Sequence, residues 1–290
     1  MNYENICCIF FGGTRFSRVF WPAETNVMRQ ALLFILLLIA TSPLFAQPRA
    51  EVRGVWVDRS SLVSRDEIRA TMQQLASANF NIAFINVWSR GYPLWASKVF
   101  ERETGILIDP DFVGRDVMRE AVEEGKAAGI EAVPWPEYGF IGGWSGYLPS
   151  VSGKGPIFDR HPDWLAKTRS GDDRFTAPGG SFYWMVHTRP DVQKFLLDLM
   201  EELARNYEVS GIQFDCARYP QLDCGYDDYT IQLYQSEHNG TAPPSDPANT
   251  AWVRWRADKN NAFVNDLAKR LKSVNRLFQI SNAPGVYPFA

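Results

Sequence analysis

After residue 50 the chain alternates between short apolar strands and amphipathic helices, and this alternation restricts its fold more than any other feature. Strand-like segments are predicted at 53–57, 82–87, 130–135, from 211 onward, and at 277–281. Helical periodicity is predicted over about 65–78, 114–128, 190–207 and 252–274. Since a helix separates each strand from the next, the strands run parallel, either in a barrel or in a doubly wound sheet.

The loops favour the barrel. No Gly-rich phosphate-binding turn follows the first strand, where a dinucleotide-binding sheet requires one. Long aromatic loops instead follow the second, third and fourth strands. Polar or aromatic residues stand at the strand ends, as at the active face of a barrel: Asp58, Asn86, Trp88, Glu137, Asp215 and Asn282. We therefore predict an α/β protein with a (β/α)8 TIM barrel of glycosidase type, of which about five of the eight strand–helix units are present.

Charge and cysteine content narrow the function. The net charge is -3 and no dense Lys/Arg cluster occurs, so nucleic acid is not an expected partner. Cys7 and Cys8 precede the exported part, which leaves Cys216 and Cys224 either as a disulfide or as two unpaired thiols. No zinc pattern or other metal-ligand spacing is present, and we expect neither a metal nor a cofactor.

The N-terminal segment has the layout of an export signal. Residues 28–46 combine Arg29, an apolar run too short to span a bilayer, and small residues before Ala46. Residues 1–27 then read as an upstream extension from a wrongly chosen start codon, with Met28 as the true start. We expect a protein exported to the periplasm, the outer cell envelope or the medium, which meets the membrane only transiently through its signal. The sequence does not indicate an oligomeric state.

Several blocks of the chain resemble the glycosyl-hydrolase-like 10 family of TIM-barrel proteins. In chain order the blocks are RGVWV, VPWPEYGF, FDRHPDW, RPDVQKFLLDLMEELARNYEVSGIQFDCARYP and QISNAPG. The resemblance covers 49–290 and implies an exported bacterial barrel, with some members implicated in cleaving the glycan strands of peptidoglycan. The last third of such a barrel, about three strand–helix units, is missing from this sequence, and we interpret the chain as C-terminally truncated.

Two acidic residues are the strongest candidates for catalysis. Asp215 ends a core strand, where an unpaired carboxylate is costly to bury, so it either acts on a ligand or pairs with Arg218. Glu137 lies between Trp135 and Tyr138, and apolar surroundings raise a carboxyl pKa toward the value that a general acid needs. Glycosidases use two carboxyls that flank the scissile bond. We predict Glu137 as proton donor and Asp215 as nucleophile or base, with a plain hydrogen-bonding role for Glu137 as the alternative.

Further residues are predicted to bind substrate, because aromatic faces pack on sugar rings while polar groups meet hydroxyls. The predicted set is Asp58, Asn86, Trp88, Trp135, Tyr138, Trp144, Trp184, Arg218, Tyr219 and Asn282. Asp58 could equally cap the turn that follows it, and the tryptophans could equally pack the loops.

These features predict an exported glycoside hydrolase that cleaves a bacterial cell-wall glycan of the peptidoglycan type, or a related polysaccharide, by paired-carboxylate chemistry. A non-catalytic glycan-binding barrel would keep the aromatic residues without needing two acids. An inactive truncated fragment is the third alternative.

Overall fold

The computed structural model describes residues 51–147 and 150–283. The predictions for residues 1–46 lie outside this part of the chain. The described strands are β1 Gly54–Val57, β2 Ile82–Asn86, β3 Trp88–Ser89, β4 Tyr92–Pro93, β5 Glu131–Trp135, β6 Ile141–Trp144, β7 Phe175–Ala177, β8 Gly180–Trp184, β9 Gly211–Gln213 and β10 Gln279–Ser281. The α-helices are α1 Arg65–Ser77, α2 Lys98–Thr104, α3 Val117–Ala128, α4 Pro156–Arg160, α5 Pro190–Asn206, α6 Asp228–Glu237 and α7 Thr250–Val274.

Five parallel strands form the wall of an incomplete barrel, in the chain order that the sequence predicts. β1, β2 and β5 make one parallel ladder, and β9 pairs with β10 in a second. The second ladder lies beside β5, because the amide of Asp215 donates to the carbonyl of Pro136 at 3.4 Å. The carboxyl ends of all five strands therefore meet at one rim. The predicted fold class is confirmed: residues 51–147 and 150–283 form a partial α/β barrel with five parallel wall strands.

The four long helices of the barrel lie where the helical periodicity of the sequence predicts them. Standard capping residues fix their ends. Ser64 caps α1 by accepting a hydrogen bond from the amide of Glu67 at 3.1 Å. Gly129 ends α3 in the left-handed conformation, and Pro190 starts α5. The apolar face of α5 is buried: Val192, Phe195, Leu196, Leu199 and Leu203.

The loops contain structure that periodicity does not reveal. The loop after β2 contains the β3–β4 hairpin and the short helix α2. The loop after β5 contains α4 and a three-stranded antiparallel sheet in the order β6–β8–β7. The loop after β9 contains α6. These pieces are short and partly aromatic, so their sequences resemble irregular loops.

Carboxylates on the helix layer join neighbouring helices. Glu124 of α3 is 8% exposed at its side chain and accepts hydrogen bonds from Arg65 and Arg69 of α1 at 2.6 and 2.9 Å. Asp198 of α5 pairs with Arg270 of α7 at 2.6 Å. Two arginines satisfy both oxygens of the buried Glu124 carboxylate, and these charge-assisted hydrogen bonds offset its desolvation.

The two faces of the barrel wall differ in burial. Ala83 and Ile85 of β2 pack under the helices and are fully buried. Trp56 of β1 points to the other face, where its ring lies 5.9 Å from that of Phe84 and 6.3 Å from that of Trp135. Trp56 is 50% exposed, so the inner face of the five-stranded wall is open to solvent in the described part of the chain.

Of the two alternatives left open for Cys216 and Cys224, the structure has two free thiols and no disulfide between them. Their backbones belong to different contacts, since the carbonyl of Cys216 accepts from Phe140 after β5, whereas Cys224 forms a bridge with Thr168. Burial raises the pKa of the Cys216 thiol to about 12, so it does not supply a thiolate near neutral pH.

None of the described helices is both long and apolar enough to span a bilayer.

One glycine allows the segments after β5 and β9 to meet. Gly139 has φ of +41°, and a Cβ built on it would overlap the carbonyl oxygen of Asp215. Both its backbone angle and its surroundings therefore exclude a side chain.

Replacing Gly139 by Ala should destabilise the fold strongly, since a methyl group there pushes the two rim segments apart. Gly129→Ala is the matched control, because Gly129 also has positive φ (+73°) but has open space where its Cβ would lie. We expect the control to lose roughly 1–2 kcal/mol of unfolding free energy from backbone strain alone. Urea unfolding should show a clearly larger loss for Gly139→Ala; equal losses would contradict the proposed contact.

Candidate active site

A cleft of about 300 Å³ lies at the rim of the barrel. Three segments line it: the turn after β1, the tip of the β3–β4 hairpin and the start of the loop after β5. The lining residues are Asp58, Arg59, Ser60, Val63, Ser89, Arg90, Glu137 and Tyr138. The cleft therefore contains two acidic and two basic side chains, and one of the acids is the predicted proton donor.

Glu137 is mostly buried at this cleft, and its surroundings change its acidity. Burial is the largest influence and raises the pKa of its carboxyl to about 7, with the charge of Asp58 adding to the rise. Asn86, at the end of β2, donates its Nδ2 to Oε2 of Glu137 at 2.5 Å, which opposes part of the shift. A carboxyl group with this pKa holds its proton for much of the time near neutral pH, as a general acid requires.

Asp58 caps the turn that follows it, and its side chain also lies at the cleft. Its Oδ1 accepts a hydrogen bond from the amide of Ser60 at 2.9 Å and so caps the turn after β1. The side chain is also exposed and lines the cleft with Glu137. Among the charges that raise the pKa of Glu137, that of Asp58 ranks before that of Asp215.

Asp215 is held firmly at the end of β9. Its Oδ2 accepts from the indole of Trp135 at 2.7 Å, and its Oδ1 accepts from the amide of Ala283 at 2.8 Å and from Gln213 at 3.3 Å. Among the described residues no ion pair joins Asp215 to Arg218, so the alternative of a structural pair between them is not found; the partners of Asp215 are neutral donors. The donors come from β5, from β9 and from the segment after β10, and they fix the carboxylate between three strand ends.

The two predicted catalytic acids follow neighbouring strands and are coupled electrically. The charge of Asp215 contributes to the raised pKa of Glu137. Trp135 precedes Glu137 by two residues and donates to Asp215, so it connects the two segments. Among the described residues, however, Glu137 lines the cleft whereas Asp215 does not. Asp58 is the acid that shares the cleft with Glu137.

Half-buried aromatic rings stand next to Glu137. The ring of Tyr138 lies 5.5 Å from Phe182 of β8, and Trp144 of β6 lies 4.4 Å from the same ring. These three residues form an aromatic cluster beside the cleft. Tyr138 and Trp144 belong to the predicted substrate-binding set. Phe182 does not, because the sequence of the hairpin that carries it resembles an irregular loop.

Three residues of the predicted substrate-binding set are in the core, so those predictions are wrong. Trp88 is fully buried against Phe100 and Phe195. Trp184 is 4% exposed and Tyr219 is 7% exposed. These aromatic side chains pack their loops against the rest of the protein and do not face solvent.

Neighbouring aromatics explain why these rings are buried. Trp184 packs against Phe175 at 5.7 Å, and Tyr219 stacks on His187 at 4.2 Å. Trp95, from the loop after β2, is fully buried as well and donates its indole to Glu202 of α5 at 3.0 Å. The loops therefore use most of their tryptophans to attach themselves to the helix layer.

Two other residues of the predicted substrate-binding set, Asn282 and Arg218, lie outside the cleft lining. Asn282 is exposed, directly before the alanine that bonds Asp215. Arg218 is half-buried, and its carbonyl contacts Nε2 of His187 at 3.0 Å. Burial lowers the pKa of His187 to about 3, so this histidine stays neutral and orders the loop. Asp227 caps α6, because its carboxylate accepts hydrogen bonds from the amide and the hydroxyl of Thr230.

Two basic residues of the cleft were missed by sequence reasoning. Arg59 pairs with Asp109 at 2.9 Å and with Asp111 at 2.8 Å, and its guanidinium lies over Phe112. Arg90 lies at the tip of the β3–β4 hairpin. The dipeptide Arg90-Gly91 is the sequence signal that could have revealed Arg90, since a residue followed by glycine between two short strands is typical of a hairpin turn.

Within residues 51–147 and 150–283, no group of acidic, histidine and cysteine side chains is arranged to hold a metal ion.

Comparison with known proteins identifies the family of this chain. The family model described as "Glycosyl hydrolase-like 10" matches residues 51–290. Curated relatives include "Glycosyl hydrolase DigH" of Escherichia coli O6:H1, 22% identical over 282 residues, with 84% of this chain and 57% of the relative covered. The protein of the same name from strain K12 is 24% identical over 213 residues, covering 61% and 43%. The chain thus spans about half the length of the curated relatives it matches.

Solved structures share the fold at low sequence identity. α-L-Fucosidase isoenzyme 2 from Paenibacillus thiaminolyticus superposes with a TM-score of 0.55 at 16% identity, covering 80% of this chain and 32% of the other. A GH20 exo-β-N-acetylglucosaminidase from Vibrio harveyi superposes with a TM-score of 0.54 at 11% identity, covering 81% and 35%. These glycosidases have TIM-barrel folds, so the partial α/β barrel of this chain is of the same type.

The raised pKa of Glu137 predicts a pH-dependent effect of Glu137→Gln on stability. The folded state holds the proton up to about pH 7, against a reference value of 4.5 for a free carboxyl. Folding therefore becomes less favourable as pH rises through this window, and glutamine has no proton to lose. Relative to the parent, we expect Glu137→Gln to gain on the order of 1–3 kcal/mol between pH 4 and pH 8.

Urea unfolding at both pH values measures this gain. Glu67→Gln, an exposed position in α1, is the matched control and should show almost no such difference. If Glu137→Gln behaves like this control, the carboxyl is not perturbed as described.

Proposed function

The chain belongs to the glycosyl hydrolase-like 10 family, and from this membership we propose that it is a glycoside hydrolase acting on a glycan held at the barrel rim. The observation that carries the proposal is a carboxyl group in the cleft, Glu137, whose pKa is about 7. A group of this kind can give a proton to the leaving oxygen of a glycosidic bond near neutral pH.

In the proposed reaction Glu137 is the proton donor. Its Oε2 accepts the hydrogen bond from Asn86, so the acidic proton is carried by Oε1 and is free to reach the glycosidic oxygen. As the bond breaks, Glu137 becomes negatively charged and its bond to Asn86 becomes charge-assisted and stronger. Asn86 therefore positions the acid and stabilises the carboxylate left after proton transfer.

The reaction needs a second carboxylate, and we assign Asp215 to it as nucleophile or base. The hydrogen bonds from Trp135 and Ala283 hold its two oxygens in place. Asp58 is a second candidate for this role, because it shares the cleft with Glu137 and contributes more to its raised pKa than Asp215 does. The two assignments differ in which carboxylate, that of Asp215 or that of Asp58, acts at the sugar whose glycosidic bond is broken.

For the substrate we propose a bacterial cell-wall glycan of the peptidoglycan type, or a related polysaccharide, reached by an exported protein. The support is the set of half-buried rings beside the acid: Tyr138, Phe182 and Trp144 offer apolar faces on which sugar rings can stack. The curated relatives that carry the name glycosyl hydrolase support hydrolysis as the reaction. The export signal predicted for residues 28–46 supports the location.

A non-catalytic glycan-binding barrel is the competing function. It would use the aromatic cluster but would not need an acid with a raised pKa in the cleft. The polar contact from Asn86 to Glu137 favours the enzyme, because it positions a carboxyl group beside the rings and not merely within the core.

Amide substitutions separate the enzyme from the binder. With purified cell-wall glycan strands as substrate and released reducing ends as readout, Glu137→Gln should lower turnover roughly 100- to 10,000-fold, since it removes the general acid. Glycan binding should persist, because glutamine keeps the size of the side chain. Comparing Asp215→Asn with Asp58→Asn identifies the second carboxylate, as the larger loss marks the acid that acts on the sugar.

Glu67→Gln is the control and should turn over like the parent. Unchanged turnover in Glu137→Gln would refute its role as acid. A parent chain that binds the strands but releases no reducing ends would favour the glycan-binding barrel.

The pH profile gives an independent test of the proton donor. The acid is active in its protonated form, so kcat/KM should fall as pH rises through about 7, the pKa of Glu137. Asn86→Ala removes a hydrogen bond that lowers this pKa, so the descending limb should shift to higher pH. A descending limb that stays in place in Asn86→Ala would show that another group controls it.

A further inference from the structure

Arg90 occupies a backbone conformation that arginine rarely adopts. It forms the two-residue turn of the β3–β4 hairpin with Gly91, and the two residues have φ of +59° and +83°. Positive φ at both positions is the pattern of a type I′ turn, for which asparagine followed by glycine is the favoured pair. An arginine at the first position is strained, and strained residues of this kind concentrate at functional sites.

The hairpin tip is fixed over the cleft. A Cβ on Gly91 would overlap the carbonyl oxygen of Gly142 in β6, so the turn is packed directly against that strand. The guanidinium of Arg90 lies 4.9 Å from the ring centre of Tyr147, which supports it from one side. Arg90 also lines the cleft that contains Glu137. The backbone and the side chain of Arg90 are therefore both positioned toward the cleft.

The two arginines of the cleft differ in their partners. Arg59 is neutralised by Asp109 and Asp111 at 2.9 and 2.8 Å. Arg90 makes no ion pair or side-chain hydrogen bond among the residues that the structure describes, although it is half-buried. A half-buried guanidinium with free donors is suited to an anionic group that enters from outside.

We propose that Arg90 binds the carboxylate of an acidic sugar and so makes the cleft prefer acidic over neutral glycans. This inference rests on the proposed function, in that the cleft is taken to hold a glycan. Arg90 would then be a specificity-determining residue next to the acid at Glu137, whose pKa its positive charge also lowers.

The charges of the cleft favour a carboxylate over a phosphate. Arg90 is one unpaired cation, and Asp58 in the same cleft is an exposed acid. A singly charged carboxylate balances Arg90 and fits the planar fork of its guanidinium. A doubly charged phosphate would be repelled more strongly by Asp58 and would lack a second cation, since Arg59 is already paired.

The test compares the same glycan with and without its negative charge. The probes are peptidoglycan glycan strands freed of peptide, whose lactyl groups end in free carboxylates, and the same strands after methyl esterification. Equilibrium binding is measured by calorimetry in the Glu137→Gln background, so that the strands stay intact. The binding result then does not depend on whether the chain hydrolyses them.

Arg90→Asn is the decisive variant, because asparagine suits the turn and carries no charge. It should bind the free-carboxyl strands about 10- to 100-fold more weakly, the loss expected for one charge-assisted contact, and the esterified strands as tightly as before. Arg90→Lys should retain part of the preference. Arg276→Asn removes an exposed arginine before β10, at the opposite end of the barrel, and should change neither affinity.

Stability distinguishes this role from a structural one. If Arg90 binds ligand, Arg90→Asn should unfold at the same or a higher urea concentration than its parent, because the turn is relaxed. Three results would overturn the inference: unchanged affinity of Arg90→Asn for the free-carboxyl strands, equal weakening for both forms of the strand, or no binding of either form before Arg90 is changed. Absence of hydrolysis by the unaltered chain would refute the catalytic proposal alone.

Discussion

The rim of this protein depends on the close packing of the chain after β5 against the chain after β9. The amide of Asp215 donates to the carbonyl of Pro136, and Gly139 leaves room for the carbonyl of Asp215. Through this contact the segment with Glu137 and the segment with Asp215 are held at one edge of the wall. Parallel strands make such a contact possible, since their carboxyl ends all lie on the same side.

Burial and charge then give the rim its chemistry. A carboxyl in water would be ionised at neutral pH, whereas Glu137 has a pKa of about 7 because it is desolvated and lies near other acids. Asn86 stabilises the form that remains after proton transfer. The same rim offers two kinds of surface, the aromatic cluster of Tyr138, Phe182 and Trp144 for apolar sugar faces, and Arg90 for negative charge.

Local signals in the sequence were sufficient for the barrel wall. The stripe on α5, the cap at Ser64 and the glycine after α3 are interactions between residues a few positions apart, so they can be recognised without a structure. The loops could not be predicted in this way. Trp88 and Trp95 have the sequence environment of exposed platforms, yet both are buried, because α2 and α5 meet the loop after β2.

The sequence by itself determined the order of strands and helices, and with it the edge at which Glu137 and Asp215 must lie. Only the tertiary structure decided which side chains share the cleft: Asp58 and Arg90 face Glu137, Asp215 is held by Trp135, and Cys216 and Cys224 stay apart. The physical reason is the range of the interactions. Periodicity and caps act within a few residues, whereas desolvation and pairing at the rim depend on groups brought together from distant parts of the chain.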